Sequence, residues 1–330
     1  MNVLLTGANG FVGSHVLDAL IESGLDVSAL IRTTSNTAFI GEHLGRVRLC
    51  YGAMDDPRSI VAALEGVDAV VHAAGRTKAN RARAYYDVNV GGTANVVAAC
   101  NRAAGRIRRL VLISSLAASG PGTTDSPRTE QARPRPVSHY GRSKLMAERC
   151  VARSSRVPYV ILRPAAVYGP RDRDFLLVFE AVRRGILPLI DGGRQRLSLI
   201  YVRDLARTVV SVLTGGLGAG GVYHLAHPEP CSHREFASAV ARAMRRHVAE
   251  PFVPRALLYP LCLAGQITAA VRRRTSVLNL DKVAEYSAPG WVCSTQRASD
   301  ALGFEAPTSL EEGVRQTLDW YLQEDWLPGR

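Results

Sequence analysis

Lysine is scarce in this chain. Of its 41 lysines and arginines only Lys78, Lys144 and Lys282 are lysines, and the arginines are scattered along all 330 positions. A formal net charge of +12 raises the question of an acidic partner such as nucleic acid or a membrane surface. No long basic run and no basic stripe interleaved with aromatics accompanies that charge, so no nucleic-acid partner is expected. The densest cluster is Arg272, Arg273 and Arg274.

Paired cysteines are missing as well. Cys50, Cys100, Cys150, Cys231, Cys262 and Cys293 stand far apart with no CxxC, which argues against a disulfide framework and fits reduced thiols in a cytoplasm. The one metal-like grouping, His224, His227, Cys231 and His233, spans a strand end and a proline-rich turn and matches no usual zinc spacing, so no metal is expected. "MNVLL" leads straight into a glycine turn without a charged leader or a cleavage site. The longest later apolar stretch, Ala256 to Val271, is interrupted by Pro260 and Gln266 and falls short of the roughly 20 residues a membrane span needs. These absences predict a soluble, cytoplasmic protein. With 47% hydrophobic residues it can bury a substantial core, as one large domain or two smaller ones.

What is present is an alternation. "NVLLTG", "DVSALI", "VRLCYG", "DAVVHAAG", "RLVLISS" and "YVILRP" are apolar runs of strand length. Between them lie helical patterns such as "GSHVLDALIESG" and "GTANVVAACNRAAG", apolar near a 3.6-residue period and closed by glycine. Such alternation predicts an α/β fold, a doubly wound parallel sheet with helices on both faces. After about Asp172 the pattern loosens into helices and short strands. Residues 1–171 are therefore read as the main part of a dinucleotide-binding domain. Residues 172–330 are read mainly as a smaller substrate-binding lobe, some segments of which return to the first domain.

"LLTGANGFVGSHV" places Gly7, Gly10 and Gly13 between a predicted strand and a predicted helix. Glycine there permits a tight turn and lets backbone approach a pyrophosphate at the positive end of the helix. The ribose-binding acid expected some 20 residues later is replaced by Arg32 in "SALIRTTS". Arginine cannot accept ribose hydroxyls but pairs with a 2′-phosphate, so NADP is favoured over NAD. Further on, "YGRSK" sets Tyr140 and Lys144 four residues apart, on one face of a helix.

Together with "HAAG" (72–75), "NVGGT" (89–93), "SS" (114–115), "RPAAVYGP" (163–170) and "YVRDLA" (201–206), these segments resemble the extended short-chain dehydrogenase/reductase family of NAD-dependent epimerase/dehydratase type. The resemblance spans essentially the whole chain. It implies a Rossmann domain with a smaller C-terminal substrate-binding lobe, an NAD(P) cofactor, and a catalytic set of Ser115, Tyr140 and Lys144. A free tyrosine, with a pKa near 10, becomes a competent base only beside positive charge, which Lys144 and an oxidised nicotinamide would supply. Ser115 would hold the reacting oxygen, and Lys144 would also bind the nicotinamide ribose. The resemblance further implies cofactor contacts for Phe11, Val12, Met54, Ala73, Ala74, Gly75, Asn89, Pro164 and Val167. A homodimer is compatible with it.

Departures narrow the substrate. Ala166 stands where nucleotide-sugar epimerases have asparagine, and Leu197 and Ser198 stand where they carry arginine and aspartate, with Arg196 adjacent as a substitute. A buried diphosphate without a charged partner is costly, so these losses count against a nucleotide sugar. Leu116 and Ala117 follow Ser115 where sugar 4,6-dehydratases need an acid pair. The "SSLAASGP" segment and the apolar lobe resemble the branch of 3β-hydroxysteroid dehydrogenases, sterol 4-carboxylate 3-dehydrogenases and dihydroflavonol reductases. That branch implies an oxidoreductase for a bulky apolar alcohol or ketone; a nucleotide-sugar 4-epimerase is the alternative, and a non-catalytic dinucleotide-binding protein a third. The stretch 252–274 is either a core helix of the lobe or an apolar surface that lines the pocket or rests on a membrane with Arg272 to Arg274 toward lipid phosphates.

Overall fold

The alternating apolar runs form one sheet in the computed structural model, which describes residues 1–216, 218–271 and 280–328. Its strands are β1 (Asn2–Thr6), β2 (Asp26–Ile31), β3 (Arg48–Tyr51), β4 (Ala69–His72), β5 (Arg109–Ile113), β6 (Tyr159–Pro164) and β7 (Gly221–Leu225). They lie in the order 3-2-1-4-5-6-7 and every neighbouring pair is parallel. This is a Rossmann-type arrangement. Strand order reverses between β1 and β4, which opens a crevice at their carboxyl ends.

A parallel sheet covered on both faces reads as continuous apolar runs, and every residue of β4 and β5 is buried. Helices α1 (Phe11–Glu22) and α5 (Val202–Thr214) cover one face, bringing Val16, Leu17, Leu20, Leu205 and Val209 against Val3, Leu5 and Val71. The other face carries α2 (Pro57–Ala63), α3 (Gly92–Arg102) and α4 (His139–Ser154), with Ile60, Val96, Val97 and Val151 packed on Leu4, Val70 and Leu110. Both α5 and β7 come from sequence beyond residue 172.

A third apolar cluster lies apart from the sheet. It joins α6 (His233–Met244) and α9 (Leu310–Gln323) through Phe236, Val314, Leu318 and Tyr321, with Tyr168, Phe179 and Leu199. Two further helices of this region, α7 (Leu258–Val271) and α8 (Leu280–Tyr286), pack on each other. The core placement expected as one option for α7 fails. Among its described side chains only Leu258 and Cys262 are buried, while Tyr259, Leu261 and Leu263 are exposed, Tyr259 by 58%. No described helix is long and apolar enough to cross a membrane. Arg272, Arg273 and Arg274 lie outside the described residues.

Candidate active site

The glycine turn is required by close packing. Gly7 has a left-handed φ of 76°, and a Cβ there would come within 2.7 Å of the Ala74 nitrogen. At Gly13 a Cβ would lie 2.0 Å from the Gly7 carbonyl oxygen. Gly10 donates to that same oxygen at 3.0 Å and begins α1 with no side-chain cap. The first-turn amides of Phe11, Val12 and Gly13 form the positive end of the helix, an arrangement that can hold an anionic group.

Beside this turn the segment after β4 is pinned by β1. Ala73 and Ala74 donate their N–H groups to the Thr6 carbonyl and hydroxyl, each at 3.2 Å. His72 bridges the Thr6 hydroxyl (2.7 Å) and the Thr93 hydroxyl (3.1 Å). Burial, aided by the Lys144 charge, pushes His72 down to about 3, so it is a neutral strut at physiological pH.

Arg32 stands exposed just past the end of β2, its N–H bonded to the Ser35 hydroxyl at 3.2 Å, with no ion-pair partner for its guanidinium among the described residues. Met54 sits over the start of α3, where a Cβ on Gly92 would lie 2.9 Å from the Met54 Cβ. Its carbonyl accepts from Asn95 at 2.7 Å.

Helix α4 brings the "YGRSK" residues to the same sheet edge. Ser138 caps its start by accepting from the Gly141 N–H at 3.0 Å. Gly141 then lets α4 lie against the turn after β5, since a Cβ there would meet the Ala117 oxygen at 2.4 Å. That approach sets Ser115 beside Tyr140, where its hydroxyl favours the phenolate form of the ring. Lys144, one helical turn on, is buried and donates to the Ile113 carbonyl at 2.7 Å. A Cβ on Gly75 would lie 3.4 Å from the Lys144 nitrogen and 3.2 Å from the Asn89 oxygen. Asn89, in a π-helical turn (Asp87–Gly91), accepts from the Arg76 N–H at 2.7 Å and donates to the Ser143 hydroxyl at 2.9 Å, tying the 73–76 segment to α4. Pro164 ends β6, and Val167 packs in one cluster with Val12 and Ala73. The expected residues thus converge on the crevice, with Arg32 and Met54 on its β2–β3 side.

The electrostatics separate the two catalytic candidates on α4. Burial pushes the Tyr140 phenol up; the neighbouring Ser115 hydroxyl and the Lys282 charge pull it down, and Glu285 opposes them. Burial pushes Lys144 down to about 8, against the pull of Glu148. Glu148 itself forms a buried bidentate pair with Arg163, at 2.9 and 2.6 Å, and accepts from Ser114.

Sequence reasoning missed the contribution of α8. Lys282 stands over the Tyr140 ring, 5.1 Å from its centroid. Asp281 accepts from the His139 and Tyr140 N–H groups at 2.7 and 3.2 Å, a second cap on α4. The scarcity of lysine was the only signal pointing at Lys282. Arg196, expected as a stand-in for a diphosphate-binding arginine, is instead held by Glu235 at 2.7 and 3.0 Å. Leu116 and Ala117 are buried apolar neighbours of Ser115. Of the His/Cys grouping, His224 contacts Ser119 at 2.7 Å and His233 contacts Gln195 at 3.1 Å.

The profile of the NAD dependent epimerase/dehydratase family matches residues 3–241. The chain belongs to this family. A ceramide reductase of Caulobacter vibrioides is 30% identical, over 99% of this chain and 96% of the relative. The 3β-hydroxysteroid dehydrogenase/decarboxylase isoform 1 of Arabidopsis thaliana is 24% identical, over 96% of this chain and 78% of its own. The crystal structure of a UDP-glucose 4-epimerase from Thermotoga maritima superposes with a TM-score of 0.80 at 19% identity, covering 98% of this chain and 99% of the other. Relatives of this epimerase/dehydratase protein therefore include a ceramide reductase and a steroid dehydrogenase as well as 4-epimerases of a nucleotide sugar and of an undecaprenol-diphosphate-linked sugar. It is an enzyme of the short-chain dehydrogenase/reductase type that uses a nicotinamide dinucleotide.

Proposed function

We propose that the enzyme interconverts a secondary alcohol and a ketone on a hydrophobic substrate, sterol-like or another lipid. The observation that carries this reading is Ser115 set beside Tyr140 at the crevice and followed by buried, apolar Leu116 and Ala117 rather than an acid pair. Tyr140 takes the proton of a substrate alcohol or returns one to a carbonyl, and Ser115 holds the reacting oxygen. Lys144, fixed by Ile113 beside Gly75 and Asn89, binds the ribose of the cofactor. The first-turn amides of α1 hold the pyrophosphate, and Met54, Ala73, Ala74, Pro164 and Val167 pack along the dinucleotide. When bound, that dinucleotide supplies the two-electron chemistry.

Arg32 supports NADP over NAD, because its exposed guanidinium lies at the end of β2 where a 2′-phosphate would sit. We assign residues 1–171 chiefly to cofactor binding and 172–330 chiefly to the substrate. Leu197 and Ser198, in place of the arginine and aspartate of nucleotide-sugar epimerases, argue against a nucleotide-sugar diphosphate, and the adjacent Arg196 is engaged by Glu235 in an exposed pair. The exposed apolar face of α7 favours contact with a membrane surface, where a lipid substrate would be met. On a substrate with a neighbouring carboxylate, oxidation would give a β-keto acid that decarboxylates readily.

The site assignment is tested with Tyr140→Phe. Turnover is expected to fall by about 10²–10⁴-fold while dinucleotide affinity, read by fluorescence titration, stays within about twofold. Full activity in that variant would remove Tyr140 from the chemistry.

A further inference from the structure

The second cation at the candidate active site comes from the far end of the chain. Lys282 lies 5.1 Å from the centroid of the Tyr140 ring and is held by Glu285 at 2.6 Å. Glu285 in turn accepts from Ser138, the cap of α4, at 2.5 Å, and the neighbouring Asp281 binds the first two amides of that helix. Helix α8 is thus clamped onto the start of α4 at three points, and the clamp fixes the ammonium over the phenol. Lys144 by contrast directs its amine to the Ile113 carbonyl at 2.7 Å. We propose that Lys282 is a positioning residue that favours the phenolate form of Tyr140, complementing Lys144 and making proton transfer depend on the docking of α8. This inference rests on the reading of Tyr140 as the proton-handling group.

Three groups act on the phenol: Ser115 from the turn after β5, and Lys282 and Glu285 from α8. The Tyr85 ring stands 6.1 Å away, and Lys144 follows one turn along α4. Lys282 stabilises the phenolate and Glu285 partly cancels it. A unit charge at this range, partly offset by its counter-ion, corresponds to roughly one pH unit.

The test is the ultraviolet phenolate titration of the full-length protein, taken as the difference between each protein and its Tyr140→Phe counterpart. Lys282→Met is expected to move the transition upward by about one pH unit, and Lys282→Arg to return it to within about half a unit of wild type. Glu285→Gln, which keeps hydrogen-bonding capacity but removes the opposing charge, is expected to move it downward. Unshifted titration in Lys282→Met overturns the inference; should that variant fail to fold, an unmoved or upward-shifted Glu285→Gln does so instead. If the enzyme oxidises an alcohol, the acid limb of kcat/KM rises by the same unit in Lys282→Met. The titration needs no substrate, so it reads Lys282 even where the alcohol/ketone assignment fails, and absent wild-type turnover exposes that failure separately.

Discussion

Arg32 is the residue on which cofactor choice turns. A guanidinium meets a 2′-phosphate with paired, charge-assisted hydrogen bonds, whereas it offers ribose hydroxyls no acceptor. Replacing it with serine is therefore expected to weaken NADP by about tenfold or more and leave NAD within about threefold, as measured by competing the two dinucleotides in kinetics. Equal losses for both would show that Arg32 has no part in discrimination. At this scale much was legible, because the glycines after β1 and the "YGRSK" spacing are local signals. Gly7 and Gly13 are demanded by contacts within one turn and its neighbouring loop. Lys282 was not legible: it lies 282 − 140 = 142 positions from the tyrosine it faces, and no periodicity reports which helix will dock there. Arg196 shows the converse, since the sequence displays its charge but not the Glu235 that engages it.

Among the elements, α7 combines an apolar composition with an exposed placement. An apolar segment interrupted by proline reads equally as core or as surface until its neighbours are known. Here Phe252, Leu257, Tyr259, Leu261 and Leu263 are all exposed within one short stretch. Vesicles of anionic phospholipid are expected to sediment the wild-type protein, the anionic surface being drawn by the net positive charge. A Tyr259→Asp/Leu261→Asp double variant should lose most of that binding while its turnover of a water-dispersed substrate is retained. Binding that survives the double variant and disappears at high salt would assign the effect to charge alone. The alternating strands and helices of the sheet were legible for a different reason: each is long enough, and buried on enough sides, for its own period to announce it.

The whole molecule carries a predictable sensitivity to acid. His15, His72 and His224 are buried and held down at about 4, 3 and 3, chiefly by desolvation. Below pH 6.5 the unfolded chain takes up protons at these positions that the folded one refuses, so their stabilising contribution is full above pH 6.5 and is lost as pH falls toward those values. Asp172 acts in the opposite sense. Burial raises it to about 7, so the unfolded chain releases its proton first and folding weakens as pH rises from about 4 to 7. Three histidines outweigh one aspartate, and thermal stability should fall on net between pH 6.5 and 4. A His72→Gln variant is expected to show a shallower fall over that range, by melting temperature against pH. An unchanged slope would mean that His72 is protonated in the folded state.

The central claim concerns what the crevice acts upon, and one measurement addresses it directly. Purified enzyme is given NADP or NAD with sterols and other apolar secondary alcohols, or the reduced dinucleotides with the matching ketones, alongside UDP-sugars, while nicotinamide absorbance and sugar epimerisation are followed together. Net redox turnover of an apolar alcohol or ketone, faster with the NADP couple and with no epimerised sugar, is the predicted result. Epimerisation of nucleotide sugars without net change in the cofactor, and no turnover of any apolar substrate, would contradict the account.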